Sequence, residues 1–209
     1  MSDLDYLSKI LPNLSGLEYS PENLKKLLIY ARLLIKRNHA FNLVGTDNFE
    51  ILTTELLADS LHLAKFLNDL APSFNGITWD VGAGAGLPGI PLRIFWQKGH
   101  YSLIEAREKR ALFMQNALAN LNLPQTLVIH SRFEAFLATN PPKANCALSR
   151  AFKPWPRLLN LFASWLDGFL IIFANSRPPS LPWKLVGEYS FQVGVKSRWF
   201  WALESPKNV

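Results

Sequence analysis

Apolar positions follow a helical period through the first third of the chain, then fall into short β-type runs separated by helical stretches. Leu24, Leu27, Leu28, Ala31, Leu34 and Ile35 share one helical face, with Lys25, Lys26, Arg32, Lys36 and Arg37 off it. Ser20-Pro21-Glu22-Asn23 supplies the start signal, a capping hydroxyl followed by proline at the first helical position. Residues 38–46 predict a connector and 49–70 a second helical stretch. The turn formers of 71–76 mark a boundary. Beyond it the pattern predicts strand 77–81, helix 88–96, strand 101–105, helix 109–121, strand 126–130, short helix 132–138, strand 145–149, helix 155–166 and strand 169–173. Two further strand-like runs, 191–195 and 198–203, close the chain, after a proline-rich loop at 176–182. Alternating strands and helices predict an α/β fold with a doubly wound, mostly parallel sheet of seven strands, the last two forming an antiparallel hairpin at one edge. The chain then divides into a helical extension, 1–70, and an α/β domain, 71–209.

Composition narrows the class. With 49% hydrophobic and 18% charged residues among 209, a packed globule is expected. The 22 basic against 16 acidic side chains suit a polyanionic partner such as RNA. The off-face cations of 25–37 read as a solvated helix surface or as an RNA-facing one. The single cysteine, Cys146, builds neither a disulfide framework nor a cysteine zinc site, and a reducing cytoplasm fits. No metal is expected. The first residues lack a basic, apolar leader, and no apolar run reaches the roughly 20 residues of a membrane span. A cytoplasmic monomer without membrane contact is the expectation.

The chemistry concentrates in Asp80-Val81-Gly82-Ala83-Gly84-Ala85-Gly86-Leu87-Pro88-Gly89. A strand runs into glycines at alternate positions and then opens a helix, so backbone can approach a ligand closely at the carboxyl edge of the sheet. Two registers compete. Gly84 to Gly89 matches the dinucleotide fingerprint, with Glu105 about 20 residues on. That register starts late after the strand and gives Asp80 no part. The earlier register, Asp80 with Gly82, Gly84 and Gly86, resembles the first motif of class I methyltransferases. There the glycines pass under the methionine end of S-adenosylmethionine, whose cationic sulfonium and amino groups suit a nearby carboxylate. In both registers Glu105, ending the next strand, can accept two ribose hydroxyls. Phe133 and Glu134 follow the third strand, where class I enzymes lie against adenine. Glu134 reads equally as a helix-start acid.

The chain resembles more closely the small-subunit ribosomal RNA guanine-N7 methyltransferase family, also called glucose-inhibited division protein B. The resemblance spans about 41–170. It rests on Phe41-Asn42-Leu43, Asp59-Ser60-Leu61, the Gly82 to Leu92 stretch, Lys109-Arg110 with Phe113, and Ser149-Arg150-Ala151-Phe152. Membership implies a class I, Rossmann-like methyltransferase with S-adenosyl-L-methionine as cofactor. It implies cofactor contacts at Gly82, Leu87, Phe133, Glu134 and Arg150. It also implies a guanine in the 530 loop of 16S ribosomal RNA as substrate, within the small subunit or its precursor. Arg150 is a cofactor or RNA contact, and Lys109 and Arg110 read equally as phosphate contacts or as a solvated helix end. The purine position carries no proton, so no general base is needed and alignment does the work. Leu56, Ala174 and Trp199 depart from the family pattern, replacing polar groups expected near substrate. Another methyl acceptor, or an RNA-binding assembly factor on the same fold, is the alternative. Asn140-Pro141-Pro142-Lys143 resembles the N-P-P-aromatic motif of amino-methylating enzymes, but it precedes the fourth strand and lacks the aromatic, so it reads as a turn.

Overall fold

In the chain's computed structural model, residues 2–150 and 153–206 are described. The element order is α1 (Asp3–Ser15), α2 (Pro21–Phe41), α3 (Phe49–Ile51), a π-helical stretch (Leu52–Leu57), α4 (Ala58–Leu70), β1 (Ile77–Val81), α5 (Gly89–Phe95), β2 (His100–Glu105), α6 (Glu108–Leu121), β3 (Thr126–His130), α7 (Phe133–Leu137), β4 (Ala144–Ser149), α8 (Trp155–Phe162), β5 (Leu166–Ala174), β6 (Lys184–Val193) and β7 (Lys196–Glu204). The starts of α1 and α2 are capped as their sequences require. Ser2 and Asp5 form a capping box, and the Ser20 hydroxyl accepts from the Asn23 amide at 3.0 Å, with Pro21 next.

The seven strands run in the order β3-β2-β1-β4-β5-β7-β6. β1 to β5 are mutually parallel, while β7 pairs antiparallel with β5 and β6. The order reverses between β1 and β4, so the carboxyl ends of these strands form the crevice where an open α/β sheet binds ligands. The expected α/β fold, doubly wound with an antiparallel edge hairpin, is what the chain forms.

Two apolar layers cover the sheet. On one face α1, α2, α4, α5 and α6 share a core with Leu103, Cys146, Leu148 and Ile171. On the other, α7 and α8 pack Phe133, Leu158 and Phe162 against Trp79, Val81 and Trp201. The N-terminal helices therefore complete the core of the sheet.

Several boundaries differ from the sequence reading. The stretch expected as one helix over 49–70 contains six π-helical residues, Leu52–Leu57. The helix expected over 155–166 stops at Phe162, because Leu166 and Gly168 are taken into β5, where Leu166 pairs with Ala144. β6 begins at Lys184 rather than at 191. Its first residues, Lys184, Leu185, Val186 and Gly187, carry little strand pattern and are held by pairing with β7. Residues 140–143 precede β4 without regular structure, and Lys143 pairs with Asp167 at 3.3 Å.

Candidate functional site

The turn after β1 is fastened from three sides. The Gly82 and Ala83 amides donate to the Ile104 carbonyl at 2.9 and 3.1 Å. The Gly84 amide donates to Glu105 Oε2 at 2.8 Å. From above, the hydroxyl of fully buried Tyr30 on α2 donates to the Ala85 carbonyl at 2.8 Å. Gly84 takes φ +62°, a left-handed conformation that L side chains avoid. A Cβ there would meet the Arg110 guanidinium and the Gly82 carbonyl only at ordinary contact distance.

In front of the turn lies a cavity of about 510 Å³. Its floor is Gly82, Gly84 and Leu87, and its sides carry Glu105, Phe133, Arg110 and Arg150. Leu43, Val44, Gly45 and Leu56 of the N-terminal region close the top. The volume and the mixed apolar and polar wall are those of a small-molecule site. Glu105 Oε1 accepts the Arg107 amide at 2.8 Å, so each carboxylate oxygen is fixed by one backbone donor and keeps lone-pair capacity for a hydroxyl.

Of the residues singled out from sequence, Gly82, Gly84, Leu87, Glu105, Phe133, Arg110 and Arg150 meet on this wall. The others lie elsewhere. Asp80 is buried behind the turn, 1% exposed, and its Oδ2 accepts the Tyr101 hydroxyl at 3.1 Å. Burial pushes its carboxyl up to about 7; the Tyr101 hydrogen bond opposes this and the Glu105 charge adds to it. A Cβ on Gly89 would collide with this carboxylate, so the start of α5 requires glycine there. Gly86 turns away from the cavity toward the Ile90 side chain. Glu134 points outward and pairs with Lys153 at 3.1 Å, and its carboxyl is held below its ordinary value by backbone and Lys153 hydrogen bonds. Lys109 sits 6.0 Å over the Phe41 ring. Ala151 and Phe152, the second half of the Ser149 to Phe152 motif, lie outside the described residues.

A second cavity, about 710 Å³, adjoins the first. Asp59, Phe173, Asn175, Lys196 and Arg198 line it, and Arg150 belongs to both walls. Asp59 is 3% exposed. Its Oδ2 lies 2.9 Å from Arg150 Nη2, and its Oδ1 accepts from Arg198 Nη1. Arg198 Nη1 also donates to the Glu55 carbonyl at 2.8 Å. Leu56, which departs from the family pattern, faces the first cavity, while Ala174 and Trp199 face the second.

Sequence reasoning did not find Tyr30, Asp59 in this role, or Arg198. Asp59 carried a signal, since a carboxylate stands there inside the apolar stretch Leu56 to Ala64. Tyr30 and Arg198 carried none, because their partners are 55 and 139 residues away.

The model of the rRNA small subunit methyltransferase G family matches residues 23–173. The chain belongs to this family. It is a methyltransferase that uses S-adenosylmethionine. Relatives called ribosomal RNA small subunit methyltransferase G are 41% identical over 92% of this chain and 90% of the Oleidesulfovibrio alaskensis protein. That of Nitratidesulfovibrio vulgaris is 44% identical over 90% and 88%, and that of Lawsonia intracellularis 38% identical over 90% of each. Among solved structures, the METTL16 methyltransferase domain lacking its N-terminal segment superposes with a TM-score of 0.57 at 13% identity, covering 86% of this chain and 96% of that one. A Thermus thermophilus 16S rRNA N2 methyltransferase, solved with AdoMet and guanosine, gives 0.51 at 20% identity over 70% and 43%. These two bear on the fold, which is the class I methyltransferase fold.

Proposed function

We propose that this methyltransferase modifies the N7 position of a guanine in the 530 loop of 16S ribosomal RNA, within the small subunit or its precursor. The observation that carries the reading is Arg150, which stands on the partition between a cofactor-sized cavity and a second, open, cationic one. A donor and an acceptor held on either side of one residue can meet without either leaving its site.

Gly82, Gly84 and Leu87 would hold the cofactor from below, with Glu105 placed to accept its ribose hydroxyls and Phe133 to border its adenine. Asp80 acts from behind, packed between Tyr101 and the Gly89 start of α5. When bound, S-adenosylmethionine would supply a sulfonium methyl to the purine lone pair, with the carbon–sulfur bonding electrons going back to sulfur. The acceptor nitrogen has no proton to lose, so the protein needs no general base, and placement of the base is its task. Arg198 and Lys196 give the second cavity positive charge for RNA. Arg110 and Lys109, at the start of α6, offer phosphate contacts beside the mouth. An unpaired loop guanine is the form in which RNA sequence is usually presented to proteins.

The test is transfer of labelled methyl to small subunits that lack the modification, with the labelled nucleotide mapped. Label at one loop guanine is expected. Label elsewhere, or none from a protein that binds S-adenosylhomocysteine, contradicts the substrate reading.

A further inference from the structure

We propose that Asp59 is a positioning residue that holds the Arg150 guanidinium on the acceptor side of the partition, with Arg198 as its counterweight. The inference rests on the reading just given for the two cavities. Three distant segments meet at this carboxylate: the first turn of α4, the residue after β4, and β7. Each Asp59 oxygen serves a different guanidinium, and the Asp59 side chain is only 4% exposed. Arg150 and Arg198 remain 26% and 18% exposed, so both cations are partly shielded and face the cavities.

The geometry has a direction. Asp59 lines the second cavity and does not line the first, whereas Arg150 lines both. The ion pair therefore ties the far end of Arg150 toward the acceptor. Arg198 is itself anchored by the Glu55 carbonyl, which the π-helical stretch delivers. π-helical turns recur at functional sites. Two guanidiniums this close would repel if the carboxylate lost its charge, and Arg150, the less anchored of the two, would move. Among the described residues no second acidic side chain pairs with either cation. The trio keeps one net positive charge, suited to an anionic acceptor strand.

Asp59→Asn keeps the shape and removes the charge. Asp59→Glu keeps the charge and has the second cavity to extend into. The experiment measures S-adenosylhomocysteine affinity and single-turnover methyl transfer to unmethylated small-subunit RNA for wild type and both variants. Asp59→Asn is expected to bind S-adenosylhomocysteine within about threefold of wild type while transfer slows by about 100-fold, the scale of a small misplacement at a reacting centre. Asp59→Glu should recover much of the rate. Unchanged transfer in Asp59→Asn, or an equal loss in affinity and rate, overturns the inference, the latter being what a general structural role would give. If wild type itself is inert on this RNA, the substrate reading fails instead. The clamp is then read from the Nε–Hε NMR signal of Arg150, where no change in Asp59→Asn overturns it.

Discussion

At the scale of single residues, Glu105 shows how one side chain ties the turn to the cavity wall. It holds Gly84 and Arg107 through their amides while lining the cavity, so removing it loosens the turn and removes an acceptor together. Glu105→Gln keeps the volume but replaces one charged acceptor by an amide. Charge-assisted hydrogen bonds of this kind contribute about 1.5–3 kcal/mol, so S-adenosylhomocysteine should bind about 10- to 100-fold more weakly. Calorimetric titration checks this, and an unchanged affinity would remove Glu105 from the ribose site. The place of Glu105 on the cavity wall was legible in the sequence because it follows from the end of the second strand. The position of Asp80 was not. The motif tells that a carboxylate ends β1, but not that its side chain turns toward Tyr101 and α5, because strand residues alternate faces and the packing partner decides which is sealed.

Among elements, α2 matters more than its amphipathic pattern suggested. Its apolar face is the predicted one, with Leu27, Ala31 and Leu34 buried, yet the contact that reaches the glycine turn is Tyr30 to the Ala85 carbonyl. Tyr30→Phe keeps the ring and strands that carbonyl. A buried unmet acceptor costs about 1–3 kcal/mol, so thermal unfolding should shift down and cofactor affinity should fall with it. A fall in stability with affinity intact would show that α2 supports the core without shaping the turn. The β-α alternation from β1 to β5 could be read from the sequence because each element has its own period. The π-helical stretch and the early start of β6 could not, since their partners are remote in sequence: Arg198 donates to the Glu55 carbonyl, and β7 pairs along Lys184 to Gly187.

For the whole molecule, two buried titrating groups pull stability in opposite directions with pH. His62 stacks on Phe191 at 3.9 Å between ring centroids, and burial lowers its ring from 6.5 to about 4, so the unfolded chain binds the extra proton between those values. Stability from His62 therefore rises with pH from about 4 to 6.5. Asp80, raised by burial from 3.8 to about 7, holds its proton in the folded state, so its contribution falls as pH rises across that interval. Relative to wild type, His62→Phe should make stability decline more steeply from pH 4 to 6.5, and Asp80→Asn should make it rise. Denaturant titrations at stepped pH read both, and parallel curves for all three proteins would show that neither group titrates as described. These groups lie on the face where the N-terminal helices cover the sheet, and the connector residues Leu43 to Gly45 after α2, with Leu56 of the π-helical stretch, line the first cavity. The most direct test of the two-cavity account is a crystal structure with S-adenosylhomocysteine. It should show the ribose hydroxyls on Glu105, the adenine beside Phe133, and Arg150 still tied to Asp59 at the mouth of an open second cavity. A nucleoside seated in the second cavity, or Arg150 turned away from Asp59 into the first, would contradict it.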